Sequence, residues 1–265
     1  MFVQLSMDSS LASEYPSRSQ AARAVTEAWV GENLYCPSCP SESLESTRPG
    51  TKVVDFRCPE CAEAFQLKSK AHPFHDRVVD SAYQPMIQSI LTSTVPNFVF
   101  LHYQSEQWIV RDLFLVPRHF LSPSFVEKRP PLQPTARRSG WVGCNLLLSA
   151  LPQDARIHAV TNGIELPSES VRGGWRAFSF LKDSDSDSRG WMADVLACVR
   201  DIRKPEFGLR EMYAFEERLG TLHQDNRNVR PKIRQQLQVL RDRGVLEFLG
   251  RGKYRVLLVP KLARP

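Results

Sequence analysis

Two close pairs of cysteines dominate the chemistry available to this chain: Cys36 with Cys39, and Cys58 with Cys61, with 18 residues between the pairs. Four thiolates in two C-x2-C turns suit a tetrahedral zinc ion, which takes sulfur at about 2.3 Å. Pro37 and Pro59 stiffen the two turns. Because protein would fill all four positions, no place is left for a substrate water, so the metal is read as structural. Two reduced cysteine pairs or a redox C-x-x-C are the competing readings, although redox centres rarely come as two such pairs. Cys144 and Cys198 are left over and are expected to be small buried thiols.

The second pair lies between VVDF and AFQLKSK, which read as two strands. A metal there would also close a β-hairpin. With the turn centred between Pro59 and Glu60, Asp55 lies opposite Ala64. Strand alternation then puts Asp55, Ala64, Gln66 and Lys68 on one face, and Val54, Phe56, Phe65 and Leu67 on the other. Diagonal neighbours on such strands are about 7 to 8 Å apart. Two of them can share one Mg2+, which takes oxygen ligands at about 2.0 to 2.1 Å. Glu63 falls on the opposite face. The competing reading of Lys68 and Lys70 is a solvated strand edge.

The pattern D-x10-Q-x-K resembles the PD-(D/E)xK nuclease core. That resemblance implies an acidic pair on the metal, with a lysine that positions or activates water and stabilises charge building on the phosphate. Gln66 stands where the second acid belongs. Its amide oxygen can still coordinate, but one negative charge is lost, and Glu27 on the first helix is another acid able to help.

These residues need elements to hold them. Residues 19–34 place Ala22, Val25, Trp29 and Val30 near one helical face behind a Ser/Gln start. Residues 97–104 and 108–117 read as further strands. Residues 127–140, with three prolines and four basic residues, read as an extended, exposed, positively charged loop. The polar, acidic stretch at 181–190 reads as a linker. After it come three helical patterns, at 191–202, 209–220 and 228–244, and then a strand, a Gly-Arg-Gly-Lys turn and a strand. That is the order of a winged helix-turn-helix. The expected fold is therefore an α/β (α+β) restriction-endonuclease-like core at 1–182 with a four-cysteine knuckle inserted at 36–61. A linker at 183–189 and a winged-helix domain at 190–265 complete it.

In the last helix Val229, Ile233, Leu237 and Leu240 form the buried stripe, leaving Asn228, Gln235 and Gln238 pointing away with Lys232 and Arg234 on the flanks. Asparagine or glutamine can pair with adenine in the major groove, while lysine and arginine anchor phosphates or guanine. In the wing, Arg251, Lys253, Tyr254 and Arg255 can reach a groove or the backbone. A protein-docking winged helix with merely solvated charges is the competing reading. The formal net charge of +6 also favours an acidic polymer as partner. The opening residues lack the pattern of a signal peptide and no stretch reaches membrane-spanning length, so a cytoplasmic protein is expected. It is expected to be a monomer off DNA and to need no small-molecule cofactor.

Nearly end to end, the chain is similar to the DpnI-type methyl-directed restriction endonucleases, which cut GATC when its adenine carries an N6-methyl group. The residues that carry this include QAARAVTEAWV, YCPSC, VVDFRCPECAEAFQLKSK, LQPTARRSGWVGCN, SRGW and KIRQQLQVLRDRGVLEFLGRGKYR. The resemblance implies a catalytic aspartate and lysine at Asp55 and Lys68, with Gln66 in place of a glutamate. It also implies zinc at Cys36, Cys39, Cys58 and Cys61, catalytic Mg2+, and a methylated-DNA reading site in each domain. Trp141 and Trp191 are candidate surfaces for the methyl group, a core role being the alternative for each. Arg137 and Arg138 can bind phosphate. Two other readings remain: a methyl-DNA-binding regulator whose nuclease core decayed at position 66, and a zinc-ribbon protein-interaction module.

Overall fold

The computed structural model describes residues 4–48 and 53–257; residues 258 and 259, expected to end the closing strand, lie outside them. Contacts divide the chain into two compact units. The first comprises residues 1–78, 92–119 and 155–182, and the second residues 79–91, 120–154 and 183–265.

The first unit is built on a seven-stranded sheet of order β1-β2-β3-β5-β6-β9-β10. Its strands are β1 (Glu45–Ser46), β2 (Phe56–Arg57), β3 (Ala64–Lys70), β5 (Asn97–Gln104), β6 (Ile109–Val116), β9 (Ile157–Thr161) and β10 (Ile164–Glu165). β3 and β5 run parallel, whereas β2–β3, β5–β6 and β6–β9 are antiparallel. β5 is apolar almost throughout because both its faces are covered: Phe98, Val99, Phe100 and Leu101 are all fully buried.

Helix α1 (Arg18–Asn33) buries Val25, Trp29 and Val30 against that sheet. Half-buried Ala22 packs against the same core as expected, Ala21 is buried too, and Ser17 is the N-cap. Thr26 Oγ1 lies 3.0 Å from Ser69 Oγ, which fixes the helix over β3. α3 (Ser168–Ala177) adds Val171 and Trp175 to the same core.

The chain passes from the first unit to the second along β4 (Arg77–Ala82), which joins a three-stranded sheet with β8 (Gly143–Leu147) and β7 (Val126–Lys128). α2 (Tyr83–Leu91) follows β4. The basic stretch 127–140 is exposed as expected but is not extended. Leu132 N–H donates to Trp141 O at 2.9 Å, and successive turns at Ala136, Ser139 and Trp141 fold the tip back on itself. It is a hairpin end, because β7 and β8 pair on either side of it.

The remainder of the second unit is the winged helix. α4 (Ser186–Asp201) is followed by β11 (Glu206–Gly208), α5 (Leu209–Tyr213), α6 (Glu216–Leu222) and α7 (Val229–Asp242). β12 (Leu246–Gly250) and β13 (Lys253–Val256) form the wing. Two details differ from the sequence pattern. Residues 186–189 of the expected linker form the first turn of α4, because the Asp185 side chain accepts from Ser188 N–H and caps it. Residues 209–220 form two short helices instead of one, the second running past Gly220 to Leu222. There the ring of His223 stacks on Trp191 at 4.0 Å and its Nε2 lies 2.9 Å from Asp194, fixing the end of α6. Gly244, with φ +70, ends α7 as expected. Among the described residues no helix is long and apolar enough to cross a membrane.

Candidate functional site

The hairpin β2–β3 pairs Phe56 with Phe65 and Arg57 with Ala64. Asp55 N–H donates to Phe65 O at 2.9 Å just before the ladder, so Asp55 comes level with Gln66, two residues further along β3 than its expected partner Ala64. The turn causes the shift. Ala62 takes φ +59, its N–H donating to Cys58 O, and the centre of the turn moves to between Glu60 and Cys61. A shift of two preserves the alternation. Phe56 and Phe65 are fully buried, whereas Asp55, Gln66 and Lys68 are half-buried on the opposite face.

On that face Asp55 Oδ2 accepts the Leu67 N–H at 2.8 Å. Gln66 Oε1 is buried with no hydrogen-bond partner. A buried amide oxygen without a donor is costly in a protein interior, and it is compatible with a bound cation supplying the missing positive partner. Together with the Asp55 carboxylate it offers the oxygen donors that a hard divalent ion takes. Lys68 Nζ lies 5.9 Å from the centre of the Phe98 ring and Lys70 Nζ 5.4 Å from that of Phe74, so an aromatic ring underlies each amine.

Glu63 lies on the other face, as alternation requires. Lys182 Nζ and Asn97 Nδ2 donate to it at 2.8 and 2.9 Å, and Arg118 Nε is 3.7 Å away. Burial pushes its carboxyl up, but the bonds from Lys182 and Asn97 and the charge of Arg118 outweigh that and hold it below its ordinary range. This acid therefore anchors the hairpin and has no part in the opposite face.

Arg23 of α1 reaches the site as well. Its Nε bonds Glu27 Oε1 at 2.6 Å and its Nη2 is 4.0 Å from Asp55 Oδ1, so α1 brings both charges to the edge of the site. The i,i+4 spacing of Arg23 and Glu27 is visible in the sequence. Their approach to Asp55 is a tertiary contact and is not.

The four cysteines converge: their sulfurs all lie within 4.8 Å of one another, with Cys36–Cys61 at 3.6 Å and Cys39–Cys58 at 3.5 Å. A tetrahedron with 2.3 Å metal–sulfur bonds has edges of about 3.8 Å, so the cluster fits one ion. Ser38 N–H points at Cys36 Sγ and Cys61 N–H at Cys58 Sγ, at 3.4 and 3.5 Å. Burial raises the Cys36 and Cys39 thiols, the latter to about 11. At Cys58, burial is overcome by backbone N–H groups of Cys61 and Glu60, lowering it to about 7. Arg172 braces the first turn by donating to the carbonyls of Cys36, Pro40 and Ser41 at 3.2 to 3.3 Å. Since the second turn is the hairpin turn itself, an ion here would tie β2 and β3 to the end of α1. Cys144 and Cys198 are fully buried, and burial pushes Cys198 up to about 12.

In the second unit α7 buries Ile233, Gln236, Leu237 and Leu240 and exposes Asn228, Arg234, Gln235 and Gln238, with Lys232 half-buried. In the wing Gly250, Arg251 and Gly252 all have positive φ, and Arg251 and Lys253 are exposed at the turn. Arg255 is engaged instead by Glu206 and Glu247 on the neighbouring strands, at 2.8 and 2.9 Å. Arg137 and Arg138 are exposed on the β7–β8 hairpin tip, and the Arg138 guanidinium lies 5.0 Å over the half-buried Trp141 ring. A Cβ at Gly143 would come within 2.8 Å of that ring, so glycine is what lets the indole lie there. These residues group with the second unit and not with the hairpin carrying Asp55. Trp191 is fully buried under His223, which makes it core.

Two family models match the sequence. The DpnI model, described as the Dam-replacing family, covers residues 3–184, and the DpnI_C model, described as the Dam-replacing HTH domain, covers residues 187–256. Between them lie only residues 185 and 186, the cap and first residue of α4. A mixed α/β unit with a four-cysteine cluster, followed by this helix-turn-helix domain, accounts for nearly the whole chain, which belongs to the Dam-replacing family.

Proposed function

We propose that the protein is a methyl-directed restriction endonuclease that hydrolyses both strands of double-stranded DNA at GATC sites containing N6-methyladenine, using Mg2+ at Asp55 and Gln66 and structural zinc at the four cysteines. Family membership supports a nuclease. The observation that most supports this site is the unpartnered, buried Gln66 Oε1 beside the Asp55 carboxylate, on the face that also carries Lys68.

Bound Mg2+ would polarise the scissile phosphate and acidify a water. The chain's own residues then have separate tasks. Asp55 is held by Leu67 N–H through Oδ2, which leaves Oδ1 as the directed donor. Gln66 would offer its amide oxygen, which has no hydrogen-bond donor of its own. Lys68 Nζ, over an apolar ring, donates to the attacking water or to charge developing on the phosphate. Asn228 and Gln235 read base edges from α7, while Lys232, Arg234, Arg251, Lys253, Arg137 and Arg138 take phosphates, and Trp141 offers an apolar face to the methyl group. Cytoplasmic conditions would keep the four thiols reduced for zinc. Digestion of matched adenine-methylated and unmethylated plasmids tests the proposal. Cutting of the methylated plasmid alone is expected, and preferential cutting of the unmethylated one would overturn it.

Gln66 itself favours a second reading, a methyl-DNA-binding regulator with a weakened nuclease core, because the amide brings no charge to the metal. That reading expects DNA binding without Mg2+- or Mn2+-supported cleavage, and cutting restored by Gln66→Glu.

A further inference from the structure

The Arg23 guanidinium stands between two carboxylates from different elements: Glu27 on its own helix at 2.6 Å and Asp55 at the hairpin at 4.0 Å. Its side chain is 72% exposed, so its outer face is open to a solution partner. Asp55 and Glu27 bring two negative charges to this corner, Arg23 and Lys68 bring two positive ones, and Gln66 brings none. The cluster is thus neutral where a divalent cation needs anionic ligands. Gln66 Oε1 points independently to a cation at this place, being a buried acceptor with no donor.

We propose that Arg23 is a DNA-gated latch on this metal site. In the free protein it occupies Asp55 and Glu27 and holds divalent-metal affinity down. When double-stranded DNA binds, a backbone phosphate takes the guanidinium, which uncovers both carboxylates beside Gln66. An exposed i,i+4 ion pair is weak, whereas arginine meets phosphate through two parallel charge-assisted hydrogen bonds, so the exchange runs toward DNA. Metal and DNA then promote each other's binding, as linkage requires. The latch suits a site whose second acid is an amide, because with so little fixed charge one neighbouring cation decides whether metal binds. The inference rests on the nuclease reading of Asp55 and Gln66.

The test measures Mn2+ binding to the zinc-loaded full chain without DNA, and binding of a methylated GATC duplex without divalent metal. Wild type, Arg23→Gln, Arg23→Lys and Asp55→Asn are compared. Arg23→Gln is expected to bind Mn2+ about tenfold more tightly than wild type and the duplex several-fold more weakly. Arg23→Lys, which keeps the charge but not the paired donors, should stay near wild type in Mn2+ affinity and bind the duplex more weakly than wild type. Mn2+ binding that depends on Asp55 but is unchanged or weakened in Arg23→Gln would overturn the latch alone. Absence of any Asp55-dependent Mn2+ binding would overturn the latch and the nuclease reading together.

Discussion

The Leu67 N–H donates to Asp55 Oδ2 at 2.8 Å, so the second strand of the hairpin clamps the carboxylate carried just ahead of the first. Side chain and backbone are locked in one register, and half of the carboxylate is spent on structure. Asp55→Asn can keep this bond through its amide oxygen while losing the charge a metal needs. Its melting temperature is expected to stay within a few degrees of wild type, while methylated-plasmid cleavage falls by about a hundredfold or more. A cleavage rate near wild type would remove Asp55 from the metal site.

Glu63 gives the first unit a specific pH dependence. Its carboxyl is held below its ordinary value of 4.5 in the folded chain, where Lys182, Asn97 and Arg118 surround it despite burial. A depressed carboxyl contributes stability that is present above its unfolded value and lost as pH falls through its folded one. Glu63→Gln should therefore cost about 2 to 3 kcal/mol near neutral pH, since it removes the acceptor charge from a buried pair. The gap in melting temperature should close as pH drops below 4.5. A gap of constant size from pH 7 to pH 3 would show that the charge is not what stabilises the hairpin.

Zinc removal should separate the two units. The cysteine cluster ties the hairpin turn to the segment after α1, entirely within the first unit, while α7 and the wing are built in the second. Chelation under mild denaturant is expected to abolish cleavage and open residues 36–70 to proteolysis. DNA affinity should fall only a few-fold. Metal analysis should give about one zinc per chain before chelation. Cleavage that survives complete removal of zinc would mean that the hairpin holds its register without it.

The features legible in the sequence were those whose physics is local. Two C-x2-C turns are fixed by spacing, and their sulfurs do meet. The stripe at Ile233, Leu237 and Leu240 and the glycine after α7 mark a helix by periodicity and its end by backbone conformation. The hairpin register was misread by two residues because a single positive φ at Ala62 lies outside what residue types reveal. The face-sharing of Asp55, Gln66 and Lys68 survived because only an odd shift would have broken it. The end of α6 beyond Gly220 and the covering of Trp191 both go with the packing of His223 against Trp191 and Asp194, across at least 29 residues of chain. Periodicity cannot foresee that. Arg23 was missed for the same reason: its partner Asp55 is distant in sequence.

The wing allows a discriminating test of charge against context. Lys253 and Arg255 are two residues apart on one strand and look equivalent in the sequence, yet Arg255 is bracketed by Glu206 and Glu247, whereas Lys253 is exposed beside the Gly-Arg-Gly turn. A guanidinium already paired on both sides carries little net charge outward, so it has no counterion-releasing contact to give. Lys253→Ala should weaken binding to methylated and unmethylated duplexes alike and lower the slope of log affinity against log salt by about one. Arg255→Ala should leave both affinity and slope near wild type. If the two variants lose affinity equally, DNA must pull Arg255 out of its acidic bracket, and the backbone contact runs along the strand beyond the exposed end of the wing.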